Sequence, residues 1–141
     1  MAVQFHFQAD IRLVERTRLK AFLAELCKSE GRKLGDLNII FVSDKALLEI
    51  NKNYLQHDFY TDIITFDLSD GKGDPVIGEI YISTDRVREN AGSFQKSIRN
   101  ELHRVIFHGL LHLCGYTDKG SVQQKRMRKK EDHYLSRYFR K

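Results

Sequence analysis

The stretch Ser97–Asp118, SIRNELHRVIFHGLLHLCGYTD, decides how the rest of the chain is read. Ile98, Leu102, Val105, Ile106, Leu110 and Leu113 recur at helical spacing and mark a broad apolar face, so residues 97–114 read as a helix meant for the interior. Gly115 ends it, because glycine tolerates the left-handed backbone that closes a helix. His108 and His112 are one turn apart and project from one side. The chain can then turn and bring Asp118 towards the same point. Two imidazoles and a carboxylate with an open position describe a catalytic transition-metal site, most often zinc. The open position would hold a metal-bound water, acidified into the nucleophile. The competing reading is two buried histidines hydrogen-bonded to backbone. Zincin peptidases place a catalytic Glu directly after the first His of such a pair. Gly109 stands there, so a peptidase of that type would lack its base.

Outward from this helix, residues 3–8 alternate apolar and polar and read as a half-buried strand. Asp10 can cap a helix carrying Ile11, Val14, Leu19, Phe22, Leu23 and Leu26, with Gly31 just beyond. Leu37 to Val42 is a short apolar, β-branched run and reads as a second strand. Ser43 or Asp44 caps a helix with Leu47, Leu48, Ile50 and Tyr54, and residues 55–61 read as a loop. Asp62 to Leu68 and Val76 to Ser83 read as two strands of a hairpin around the turn cluster Ser69 to Asp74. Pro75 sits where a strand starts without giving up an N–H. Thr84 or Asp85 caps another helix that breaks near Gly92. Residues 121–139 form a last amphipathic helix, with Val122, Met127, Tyr134, Leu135 and Tyr138 on one side. The order β-α-β-α-β-β-α-α-α predicts an α+β (or split α/β) domain: a small four-stranded mixed sheet packed with about five helices, one of them a zincin-like metal helix.

A length of 141 residues predicts one domain, taken as 1–141. The net charge is +5, but its placement says more than its size. Nine basic and two acidic side chains fall in residues 119–141, leaving residues 1–118 slightly negative. A basic tail suits a polyanionic partner. Lys125, Arg126, Arg128, Lys129 and Lys130 are the candidate nucleic-acid contacts; a solvated helix face is the plain alternative. Two cysteines, Cys27 and Cys114, make no disulfide framework, so the expected compartment is a reducing, cytoplasmic one. No signal peptide is visible, and the apolar runs fall far short of the roughly 20 residues that span a bilayer, so no membrane partner is expected.

At HGLLHLCGYTD, with Leu102 to Phe107 before it, the chain resembles the YbeY family of metal-dependent endoribonucleases. Asn51 to Phe66 (NKNYLQHDFYTDIITF) and Gly78 to Ser83 (GEIYIS) are similar to further family stretches. The resemblance implies a single-strand-specific endoribonuclease that matures the 3′ end of 16S rRNA and takes part in ribosome quality control. It implies RNA and ribosomal proteins as partners, with a GTPase of ribosome assembly. It also implies one zinc ion held by three histidines in an H-x3-H-x5-H pattern. His108 and His112 match the first two; the third position is Asp118, a good zinc ligand that also admits harder divalent metals. His133, far along the last helix, is the disfavoured rival. The family Arg after the Tyr of Asn-x-x-Tyr is missing: Leu55 follows Tyr54, and Arg86, Arg88 or Arg104 would have to substitute.

Several other residues carry two readings. His103 matches a family histidine, yet it lies five residues before His108 and points elsewhere on an ideal helix, so helix packing is favoured over a site role. Glu79 is either a general base or imidazole partner, or a buried strand residue. His57 and Asp58 could border the cleft. Phe59, Tyr60 and Phe66 could stack on bases or pack in the core. Cys114 reads as a small core residue. The alternative functions are a metal-dependent hydrolase of another ester or amide, and a non-catalytic RNA- or ribosome-binding module with a structural metal.

Overall fold

The computed structural model describes residues 2–55, 61–71 and 73–140. Four strands form one mixed sheet in the order β1-β2-β4-β3. The strands are β1 (Val3–Phe7), β2 (Leu34–Val42), β3 (Ile63–Asp67) and β4 (Val76–Ser83). The pairs β1–β2 and β2–β4 are parallel, and β3 closes the sheet as the antiparallel partner of β4. The helices are α1 (Arg16–Ser29), α2 (Asp44–Leu55), α3 (Thr84–Ser93), α4 (Ile98–Leu113) and α5 (Ser121–Phe139). The expected α+β architecture and the β3–β4 hairpin are both present.

Alternation along the central strands divides the helices between the two faces. Ile39 and Phe41 of β2 and Ile80 and Ile82 of β4 face the larger core, shared with α1, α4 and α5. Ile40 and Val42 face a second cluster with Leu47 of α2 and Ile64. β2 is covered on both sides, which is why its sequence is a continuous apolar run rather than an alternating one.

Helix α4 is the keel of the larger core. Leu102, Ile106, Phe107, Leu110 and Leu111 are all 0% exposed. Each contributes roughly 2 kcal/mol on leaving water, which anchors the helix against the sheet. The approach is close because two glycines face it. A Cβ at Gly109 would lie 2.8 Å from Ile63 Cδ1 and 2.9 Å from Ile80 Cγ2. One at Gly78 would lie 2.7 Å from the Phe66 carbonyl oxygen and 3.0 Å from Leu113 Cδ1. Gly109, which removes the peptidase glutamate, thus lets α4 sit flush on β3 and β4. Ser97 caps α4 by accepting from the Asn100 N–H at 2.9 Å. Gly115, at φ +112°, turns the chain out of it.

Some local expectations are corrected. Helix α1 begins at Arg16, after Glu15 in the left-handed region; Ile11 and Leu13 are buried ahead of it in non-helical chain. Their two-residue spacing fits an extended segment laid on the core better than a helix face. β2 starts at Leu34, with a register irregularity before Leu37. Ser83, not Thr84 or Asp85, caps α3, while the Asp85 carboxylate accepts from the Asp44 N–H at the start of α2. Val122 is 71% exposed, in the first turn of α5 before that helix meets the core.

Candidate metal centre and its cleft

His108 and His112 stand on the edge of α4 that faces α5 and the turn after Gly115. The Nδ1–H of His108 donates to Glu131 Oε2 at 2.6 Å. The Nδ1–H of His112 donates to the Tyr116 carbonyl oxygen at 2.9 Å. Both bonds select the tautomer whose Nε2 carries the lone pair. The two Nε2 atoms then lie 3.0 Å apart, with Asp118 Oδ2 at 3.4 Å from one and 3.5 Å from the other. Three acceptors face one point. An ion held tetrahedrally about 2.05 Å from each donor would separate them by about 3.3 Å. The observed spacing matches, so the donor set could hold a divalent metal ion.

Electrostatics supports the same reading. Burial by itself would lower the His108 pKa, but the Glu131 carboxylate, with Asp62 and Asp118, pulls it above the ordinary value. Burial and the neighbouring His108 lower that of His112. The carboxylates around His108 favour positive charge at this point, which a bound cation would supply.

Glu131 went unnoticed in the sequence, although a signal was there. It lies four residues after Met127 and three before Tyr134, on the buried stripe of α5, where a lone carboxylate is conspicuous. It is 5% exposed. Its other oxygen accepts from Arg104 at 2.8 Å, and Arg104 also reaches Asp132 at 2.6 Å. A second carboxylate, the half-buried Glu30 at the end of α1, accepts from the Tyr116 hydroxyl at 2.6 Å, from Lys130 at 3.1 Å, and from the Tyr134 hydroxyl. Burial pushes the Glu30 carboxyl up, and these three donors more than reverse it. Glu30 thereby ties the metal turn to α1 and α5.

A cleft of about 210 Å³ adjoins His108, lined among others by Asp62, Glu101, Arg104, Arg128 and Glu131. Burial raises the Asp62 carboxyl above the usual range, with the His108 imidazole opposing it. Asp62 was read from sequence only as the start of a strand.

The remaining candidates are placed as follows. His103 is 0% exposed, its ring stacked on Tyr138 at 5.0 Å with its Nδ1 2.7 Å from the Arg99 carbonyl oxygen. It packs helices and is no partner of the metal donors. Glu79 is corrected too. It pairs across the hairpin with Phe66 and lies 3.5 Å from the Tyr81 hydroxyl, on the α2 face of the sheet. The period of two that buries Ile80 against α4 turns Glu79 away from it, so Glu79 is no base at this site. Phe66 packs in that same layer, edge-on to Tyr54 and Tyr81. His57, Asp58, Phe59 and Tyr60 lie outside the described residues. His133 is exposed on α5, its ring 4.9 Å from that of Tyr134, and is not part of the donor group. Cys114 packs against the core with its Sγ on Cys27.

Of the basic residues, Lys125, Arg126, Arg128 and Lys129 are exposed, whereas Lys130 is engaged by Glu30. Arg128 borders the His108 cleft and Arg126 a second cavity beside the metal turn. Among the arginines considered in place of Leu55, Arg86 bonds Asp44 at 3.1 Å and Arg88 the Asp10 carbonyl oxygen at 2.5 Å. Only Arg104 of the three borders the His108 cleft, and its guanidinium holds Glu131 and Asp132. No helix among the described residues is long and apolar enough to cross a membrane.

An α+β frame that aims two imidazoles and a carboxylate at one point beside a cleft has the arrangement of a metal-dependent hydrolase. Residues 4–139 match the sequence model of the family described as Endoribonuclease YbeY, and the chain belongs to that family. It is 46% identical over 134 residues to the Endoribonuclease YbeY of Cytophaga hutchinsonii, covering 94% of this chain and 93% of that protein. It is 41% identical over 138 residues to that of Parabacteroides distasonis, covering 96% and 95%. The solution structure of TM1509 from Thermotoga maritima superposes with a TM-score of 0.67 at 30% identity, covering 98% of this chain and 89% of that one.

Proposed function

We propose that this chain is a zinc-dependent, single-strand-specific endoribonuclease that acts in 3′-end maturation of 16S rRNA and in ribosome quality control. The observation that carries the proposal is the convergence of His108 Nε2, His112 Nε2 and Asp118 Oδ2 at 3.0–3.5 Å beside an open cleft. The family assignment supplies the class of substrate. Residues 1–141 act as one domain in the cytoplasm, on ribosomal RNA, in company with ribosomal proteins and an assembly GTPase. Zinc suits the imidazole pair, and Asp118 also admits harder divalent ions.

When bound, the metal supplies Lewis acidity towards water and a phosphoryl oxygen. The chain's own residues do the rest. Glu131 and the Tyr116 carbonyl hold both rings in the donor tautomer, so no reorganisation is needed on loading. Asp62, half-buried and with a raised pKa, takes up the proton of the attacking water. Arg128 on the cleft rim and the exposed cations of α5 hold the phosphate backbone without regard to sequence.

The test compares wild type with the His108→Ala/His112→Ala double variant. Zinc content by mass spectrometry and cleavage of single-stranded against double-stranded RNA should both collapse to background in the variant. Unchanged zinc content and cleavage would refute the proposal. Parallel assays on a generic phosphodiester and a peptide separate it from a hydrolase of another ester or amide.

A further inference from the structure

Cys27 and Cys114 are the only cysteines in the chain, and the fold brings them together from distant segments. Their Sγ atoms are 3.9 Å apart and both thiols are free. Cys27 is 0% exposed on α1. Cys114 is half-buried and lines a cavity of about 470 Å³ with Glu30, Tyr116 and Arg126 among its neighbours. One thiol is thus open to a small solute and the other waits behind it. A disulfide needs an S–S distance of about 2.05 Å. Rotation of the Cys114 side chain together with a shift of its backbone towards α1, at the cap residue that ends α4, closes the gap.

We propose that Cys27 and Cys114 form an oxidation site for hydrogen peroxide, and that the resulting disulfide loosens the metal-binding turn. Cys114 sulfur attacks one peroxide oxygen. The S–O bond forms, the O–O bond breaks, and the thiol proton leaves with the released hydroxide as water. Cys27 sulfur then attacks the sulfenic acid. The S–S bond forms, the S–O bond breaks, and a second water departs. Two thiols lose two electrons and peroxide gains them.

The coupling to the turn is covalent and short. Cys114 lies between His112 and Tyr116, whose carbonyl orients the His112 ring. The Tyr116 N–H bonds the Leu111 carbonyl at 3.0 Å, and the Gly115 N–H bonds that of His112 at 3.0 Å. Drawing residue 114 towards α1 pulls on this turn and on the tautomer it selects. The coupling rests on the metal centre proposed above.

The full chain, freed of metal, is treated with hydrogen peroxide, cleared of it, and then unfolded in guanidinium chloride and blocked with N-ethylmaleimide, so that the buried Cys27 is reached as well. Intact-mass measurement should show an unlabelled monomer lighter by two hydrogens, restored to two labels by dithiothreitol. Calorimetric titration with zinc should show at least tenfold weaker binding by the oxidised form than by the reduced form. In Cys27→Ala the same treatment should leave a sulfenic acid on Cys114 that dimedone traps. Two maleimide labels on peroxide-treated wild type, only intermolecular dimers, or equal zinc affinity in both forms would overturn the proposal. If the reduced wild type itself fails to bind zinc, it is the metal centre that fails.

Discussion

Glu131 Oε2 stands 2.6 Å from His108 Nδ1, although the two residues belong to different helices. The bond makes α5 part of the candidate metal centre. The helix therefore has two jobs: its outer face carries the exposed cations, and its buried stripe orients a ligand.

Glu131→Gln keeps the shape but weakens the hold on the ring and its basicity. Zinc affinity should fall about 10- to 100-fold, as for other partners that orient ligating histidines. Circular dichroism should be unchanged, and calorimetric titration reads the loss. Unaltered affinity would make the pair a packing contact only.

Asp62→Asn tests the proposed proton acceptor. A base with a raised pKa makes activity climb as pH rises through that pKa. The variant should lose this acid limb from the kcat profile and fall about 100-fold in kcat, with zinc binding intact. A retained limb would assign it to another group.

His103 is held neutral in the core, its pKa lowered by burial against an opposing bond to the Arg99 carbonyl. The unfolded chain takes up a proton near pH 6.5, before the folded one does. The stability His103 contributes is therefore present above that pH and is lost as pH falls towards the folded-state value, by up to about 1.4 kcal/mol per pH unit. His103→Phe should flatten this part of the acid slope in urea unfolding between pH 7 and 5. An identical slope in the variant would count against it.

Gly109→Ala sets two effects against each other. Alanine gains about 1 kcal/mol in helix propensity, but its methyl would meet Ile63 and Ile80 below 3 Å. Overpacking a flush helix–sheet contact costs about 1–3 kcal/mol, so the variant should be less stable by urea denaturation. A stabilised variant would mean that α4 lifts off the sheet freely.

Lys125→Ala/Lys129→Ala removes two exposed cations of α5 without touching Glu30 or the metal donors. Binding of single-stranded RNA should weaken, and its log–log salt slope should drop by about 1.4. A constant slope would place the RNA elsewhere.

Local spacing carried most of the element order and the metal motif. A histidine pair one turn apart, followed by a helix-stopping glycine and an aspartate, is short-range geometry that the backbone repeat dictates. The apolar run of β2 announced a strand, and the structure shows the cause of that run in helices on both of its faces. Non-local contacts were hidden. Glu79 and Ile80 are neighbours in sequence, yet the pleat sends one to α2 and the other to α4.

By itself, then, the sequence determined which side chains could reach a metal, because one helical turn places them. Only the tertiary structure decided how they are held. Glu131 reaches the site from α5 and Glu30 from the end of α1, while Arg104 of α4 holds Glu131 in place, and burial in a shared interior makes these hydrogen bonds strong enough to orient a ring. The approach of Cys27 to Cys114 is likewise a property of packing α1 on α4, which no local periodicity encodes.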